Sequence, residues 1–110
     1  MKLTNIDYIP GQEFEALGIV KGNVVMTKNF GKDFMAGMKT LVGGEITSYT
    51  EMLNDARAVA VKRMVDEAEA LSADAVVNVR YASASVMQGA AEVIAYGTAV
   101  RFTDGSADKP

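Results

Sequence analysis

The chain has 110 residues, with 11 Lys and Arg against 14 Asp and Glu, for a net charge of −3. It is 49% apolar and 23% charged with a mean hydropathy of +0.08, the make-up of one folded domain rather than a disordered or fibrous chain. It has no cysteine and no histidine, which excludes disulfides, thiolate and imidazole metal sites, Ser-His-Asp and Cys-His chemistry and the usual proton shuttle near neutral pH.

From the N-terminus, no apolar leader follows Lys2 and no uninterrupted apolar run approaches the length of a membrane span. A cytoplasmic location with no membrane partner is expected. The mildly acidic balance does not attract phosphate backbones, so no nucleic-acid partner is expected either. A short strand fits near Lys2 to Asn5, ahead of the turn Ile9-Pro10-Gly11-Gln12. Glu13 to Lys28 is rich in β-branched residues and reads as one long strand. Gly18 and Gly22 interrupt it, which predicts a bulge or bend; a hairpin at Gly22-Asn23 is the alternative.

Asn29 is a suitable cap for a short helix to about Val42, with Phe34, Met35, Met38 and Leu41 at helical spacing and Gly43-Gly44 as its stop. Ser48-Tyr49-Thr50-Glu51 has the form of a capping box. It opens a helix predicted to reach about Leu71, with Tyr49, Met52, Leu53, Ala56, Ala60, Met64 and Leu71 on one face. Ala58, Val61 and Val65 form a second apolar strip, read as lying roughly opposite the first. A helix apolar on two sides calls for cover on two sides, which predicts a second subunit. Ala75 to Ser85 and Ala91 to Phe102 read as a β pair joined through Met87-Gln88-Gly89-Ala90. In the second strand Ile94, Tyr96, Thr98, Val100 and Phe102 face one way and Val93, Ala95, Gly97 and Ala99 the other, a pattern that predicts packing on both faces.

Few residues invite chemistry. The seven methionines fall mostly at core spacing, so core filling outweighs soft-metal ligation. No calcium loop, phosphate loop or dinucleotide fingerprint is present; the glycine turns read as a bend and a helix stop. Glu67 falls mid-stripe on the long helix. The structural reading pairs it with Arg63, one turn away; the functional reading makes it a half-buried carboxylate lining a pocket. Glu45, Tyr49 and Arg57 together supply a carboxylate, a phenol and a guanidinium, enough to orient a small polar ligand; their structural reading is capping and a salt bridge. Arg80 reads as a solvated or intersubunit charge. The candidate ligand-binding set is therefore Glu45, Tyr49, Arg57 and Glu67, with no catalytic residue, no metal ligand and no cofactor assigned, since no nucleophile sits beside a base.

Several segments resemble the YbjQ family in sequence and in order: Leu17 to Asn23, Asp33 to Met38, Val42-Gly43-Gly44-Glu45 with Tyr49, Leu53 and Ala56-Arg57, Ala73 to Tyr81, and Tyr96 to Val100. The resemblance spans about Leu3 to Phe102. It implies a small α+β protein whose sheet packs on a long helix, a ring-shaped homopentamer, a heavy-metal-binding label and no established activity. Two departures stand out. Ser72 occupies the place where the family commonly has a helix-stopping glycine, which weakens that cap. The metal label meets no Cys or His in this chain.

The expectation is thus an α+β fold, with a small, mostly antiparallel sheet packed on one long helix plus a short helix, assembling as a ring-shaped homo-oligomer. One domain over 1–103 and a disordered tail over 104–110 are expected. The leading functional reading is a non-enzymatic scaffold or small-ligand or ion-binding protein whose chief partner is itself, as a homopentamer. The alternatives are a metal-binding protein and an enzyme with a carboxylate, tyrosine and arginine pocket.

Overall fold

A computed structural model describes residues 1–26, 47–87 and 90–103. Among them are four strands and one helix: β1 (Lys2–Leu3), β2 (Phe14–Met26), α1 (Thr47–Ala70), β3 (Ala75–Met87) and β4 (Ala90–Phe102). The strands form one sheet in the order β1-β3-β4-β2. β1 runs parallel to β3; β2 and β3 both run antiparallel to β4. The expected α+β plan of a helix on a mostly antiparallel sheet is therefore present, as a mixed four-stranded sheet. The predicted short helix, residues 88–89 of the connection and the 104–110 tail lie outside the described residues. No helix among the described residues is long and apolar enough to cross a membrane.

β2 is a single strand of 13 residues, not a hairpin, and its two glycines do different things. The register with β4 slips between Ala16 and Gly18, so Leu17 is the extra residue of a bulge. Gly18 follows it with φ of 149°, a region that glycine enters without strain. Gly22 makes no bend. It is where α1 lies directly on the sheet: a methyl group built there would collide with the Ala60 carbonyl oxygen and the Met64 amide, and approach Arg63 Cβ to 2.7 Å.

α1 has 24 residues without glycine or proline and uses small side chains to reach that contact. Ala56, Ala60, Met64 and Ala68 are buried, and three of them join Val20, Val76, Ala95 and Ala99 in the main core. Successive i, i+4 positions drift by about 40° round a helix of 3.6 residues per turn, so this core stripe winds. That drift corrects the expectation of two opposed apolar strips. Val61 lies on the flank of the core stripe and packs against the main cluster; Val65 is half-buried and Ala58 exposed. Val61 widens the buried face, while Ala58 stays in solvent and the three form no second buried strip.

The two faces of β4 are also unequal. Val93, Ala95, Gly97 and Ala99 are buried beneath the helix, whereas Ile94, Thr98 and Phe102 are only half-buried and Tyr96 is exposed. Among the described residues the open face is covered at one end, where Ile9 closes over Ala75, Val77 and Val100 with Phe14 and Phe102 beside them. Packing on both faces therefore holds for one end of the sheet.

β3 carries a second irregularity, a register shift between Val77 and Arg80 with Asn78 at φ of 56°. Asparagine tolerates this left-handed conformation better than other non-glycine residues. Gly97 of β4 lies against it; an added methyl would come within 2.7 Å of Val76 Cγ1 and 2.9 Å of the Val77 carbonyl oxygen. The end of α1 is closed by a Schellman motif. Ala73 N–H donates to Ala68 O at 3.1 Å and Ser72 N–H to Glu69 O at 2.9 Å, with Ser72 at φ of 59°. The motif is complete although a serine occupies the position that glycine fills without cost.

Two substitutions probe these geometries. Gly22→Ala destabilises the fold by about 3 kcal/mol or more, because the obstacle is backbone on both sides. Ser72→Gly stabilises it by roughly 1 kcal/mol, through relief of the left-handed serine. Urea unfolding of the two variants beside the parent chain measures both, and opposite signs are expected.

Candidate functional site

The sequence-derived candidates fall on two parts of the molecule. Glu45 and the side chain of Tyr49 lie outside the described residues. Arg57 is exposed on α1 and donates from Nη1 to Asn54 Oδ1 at 3.2 Å, one turn back. Glu67 is ten residues further along the same helix, roughly 15 Å of axial rise away. Neither lines the cleft that lies beside Arg80.

Glu67 is held by the sheet and not by Arg63. Its Oε1 accepts the Lys21 backbone N–H at 3.2 Å, and Arg63 Nη1 donates to the Asn23 carbonyl at 2.6 Å. The expected ion pair between neighbouring turns is replaced by two bonds that straddle Gly22. β2 is an outer strand of the sheet, and in an extended strand the polar groups of Lys21 and Asn23 share one side. An acid caps the N–H and a base caps the C=O, so this stretch of open edge is closed by side chains from the helix above it.

Several other charged groups of the surface have polar side-chain partners. Lys62 bridges to Asp66 at 3.2 Å, Arg101 pairs with Glu15 across β4 and β2, and Asn23 Nδ2 donates to Glu92 at 2.8 Å. Arg80 differs. Its Nη1 donates to two carbonyl oxygens, Asn5 at 2.5 Å and Val79 at 3.2 Å, and among the described residues it meets no carboxylate. It lies beside a cleft of about 420 Å³ lined by Leu3, Thr4, Asn5, Val61, Val79, Arg80 and Tyr81. The bulge makes this cleft. Thr4 N–H donates to Val76 O, Val79 N–H to Thr4 O and Asn78 N–H to Ile6 O, each at 3.0 Å, so the segment after β1 is laced to β3 across its kink. Sequence reading missed this place. The one signal was an asparagine inside the run Val76-Val77-Asn78-Val79, a poor strand former among good ones.

The donor set does not fit a soft metal. The chain has no Cys or His, and the described carboxylates form no group of three that would hold an ion. The described polar groups do not place a nucleophile beside a base.

Comparison with known proteins places these features in a lineage. A family model named YbjQ, described as "Putative heavy-metal-binding", matches residues 1–103. The chain is 58% identical over 102 residues to a UPF0145 protein of Clostridium novyi, covering 93% of this chain and 99% of that one. It is 55% identical over 103 residues to a UPF0145 protein of Thermotoga maritima, covering 93% and 97%. A crystal structure of a protein of unknown function in the DUF74 family, from Pediococcus pentosaceus, superposes with a TM-score of 0.66 over 94% of this chain and 98% of that one. At 14% identity that likeness concerns the fold alone.

The Glu67 clamp has a local signature. Removing its acceptor with Glu67→Ala is expected to raise hydrogen exchange at the Lys21 amide about fivefold, the equivalent of ~1 kcal/mol. Amides of α1 away from the clamp keep their protection. Unchanged exchange at Lys21 contradicts the assignment.

Proposed function

The chain belongs to the YbjQ family, and from that membership we propose that it works as a non-enzymatic homo-oligomer in the cytoplasm, a ring of five copies that holds a small molecule or ion. One observation carries the reading. Eight consecutive residues of β3, Arg80 to Met87, are exposed although they belong to a regular strand, and Met87 is 67% exposed. β1 stops at Leu3, so the outer edge of this arm has no strand beside it among the described residues. An uncovered strand of this length with Tyr81, Val86 and Met87 on it is an aggregation hazard in a monomer and an ordinary feature of a subunit. Ile19, 79% exposed, and Val25 extend the uncovered surface onto the open face of β2. A radius of gyration of 17.7 Å, against about 13 Å for a compact chain of this size, supports the same view. The number five comes from the family resemblance.

Arg57, exposed and bonded only one turn away in the described structure, is proposed with Glu45 and Tyr49 as a group that meets the ligand. Glu67 serves beside them by fixing the β2 edge. Metal binding is the second reading, supported by the family description. With oxygen and thioether donors only, it would favour hard ions over soft ones.

Light scattering on the purified chain at micromolar concentration tests the assembly. A mass of about 58 kDa, five times the 11.7 kDa protomer, is expected. Val86→Asp shifts the chain toward smaller species, whereas a stable monomer in the parent rejects the proposal. Calorimetric titration with Zn²⁺, Cu⁺, Ni²⁺ and Mg²⁺ separates the second reading; saturable heat with any of them, Mg²⁺ foremost, favours it, and no heat with any ion removes it.

A further inference from the structure

We propose that the cleft between α1, the Thr4–Asn5 segment and the β3 bulge binds a small aliphatic carboxylate, with the Arg80 guanidinium as its anchor. All its walls come from one chain, although two of them, Arg80 and Tyr81, also begin the uncovered arm on which the oligomer reading rests.

Arg80 is one of several cations with no carboxylate partner among the described residues, and it is the one that lines this cleft. Lys62 and Arg101 each meet a carboxylate. Arg63 bonds the Asn23 carbonyl and lies one helical turn from Glu67. Arg80 meets only the carbonyls of Asn5 and Val79. A carbonyl satisfies a donor but neutralises nothing, so the positive charge persists. Those two carbonyls belong to residues that line the cleft, which fixes the guanidinium at its edge. They engage Nη1. The Nε and Nη2 donors point along the other side of the same rigid fork, the geometry that receives two carboxylate oxygens.

The backbone beneath is arranged for this. Without the bulge, Val79 and Arg80 would continue the plain ladder. The kink at Asn78, with φ of 56°, turns them toward the segment after β1, and three backbone bonds lock the kink in place. Strain held by surrounding bonds, next to a cleft, is a pattern found at binding sites.

The remaining walls select the rest of the ligand. Leu3, Val61 and Val79 offer aliphatic surface, and Tyr81 adds a ring and a hydroxyl. An inorganic anion gains nothing from those walls. An amine meets the wrong charge. A carboxylate with a short hydrocarbon tail uses both parts, and a volume of about 420 Å³ is within the usual range for small-molecule sites.

The test is an amide NMR titration of the full chain with acetate, butyrate, hexanoate, inorganic phosphate and butylamine. Hexanoate is expected to shift the amides of Leu3 to Asn5 and Val79 to Tyr81 saturably, with a dissociation constant of about 1 mM. Affinity should rise by up to about fourfold per added methylene from acetate to hexanoate. Arg80→Gln weakens hexanoate at least about tenfold, and Arg80→Lys, which keeps the charge but loses the fork, also weakens it. Should Arg80→Gln disturb the N-terminal segment, Val61→Gln provides an independent reading, because it should flatten the chain-length dependence and leave acetate unchanged. The proposal is overturned by the absence of saturable shifts at tens of millimolar hexanoate. It is equally overturned if butylamine or phosphate moves the same amides as strongly, or if a folded Arg80→Gln chain binds hexanoate as the parent does.

Discussion

The contact between Gly22 and the backbone of α1 at Ala60 and Met64 sets the rest of the structure. A helix normally stands off a sheet by the depth of two side-chain layers. Here one layer is missing at the crossing point, and the helix backbone rests on the strand backbone. This explains why the buried face of α1 is mostly alanine and why Val93, Ala95, Gly97 and Ala99 present a small-residue floor beneath it. It also brings the helix side chains on either side of the contact within reach of the strand. Arg63 and Glu67 then need no long reach to cap Asn23 and Lys21.

The close crossing has a consequence for coverage. α1 lies along β2 and β4, and it leaves the outer half of β3 beyond its flank. The sheet is thus asymmetric: part of one outer edge is closed by a charged clamp, and the other carries a strand exposed on both faces. An edge blocked on one side and open on the other is what a subunit with a defined polarity of association requires. The same offset creates the cleft at Arg80, since Val61 on the flank of the helix overlooks β3 without covering it.

Much of this fold was legible in the sequence because its signals are local. The length of α1, the 13-residue β2, the bulge at Gly18 and the final β pair are all written in periodicity and in β-branched content. The place of the turn after α1 came from the family resemblance alone, in which Ser72 stands where a glycine is common. Relations between distant segments could not be read. Nothing near Gly22 announces that residues 60 and 64 will press on it, so bend and close approach look alike in one dimension. Glu67 stands out in the sequence as a mid-stripe carboxylate, but its partner is an amide 46 positions away, whereas the nearer arginine is the visible candidate. The two strips on α1 were misjudged because spacing gives an angle round the axis but not the width of the sheet beneath.

Arg80 shows the same limit from the other direction. In the sequence it is one charge in an alternating strand, and alternation assigns it to solvent. Arg80 is indeed exposed, but alternation presumes an unbroken ladder, and the break at Asn78 sets this exposed charge beside a cleft. A bulge with one extra residue reverses the facing of the residues after it and brings a strand cation to the edge, where the chain after β1 supplies a carbonyl for it. Strain at Asn78 and the loss of ladder bonds must be offset locally, and the three bonds from Thr4, Asn78 and Val79 provide that. Those bonds are backbone to backbone, and the Arg80 side chain adds two more to the Asn5 and Val79 carbonyls. The Arg80 cleft and the Glu67 clamp thus share one device, a charged side chain that satisfies backbone groups of a neighbouring segment.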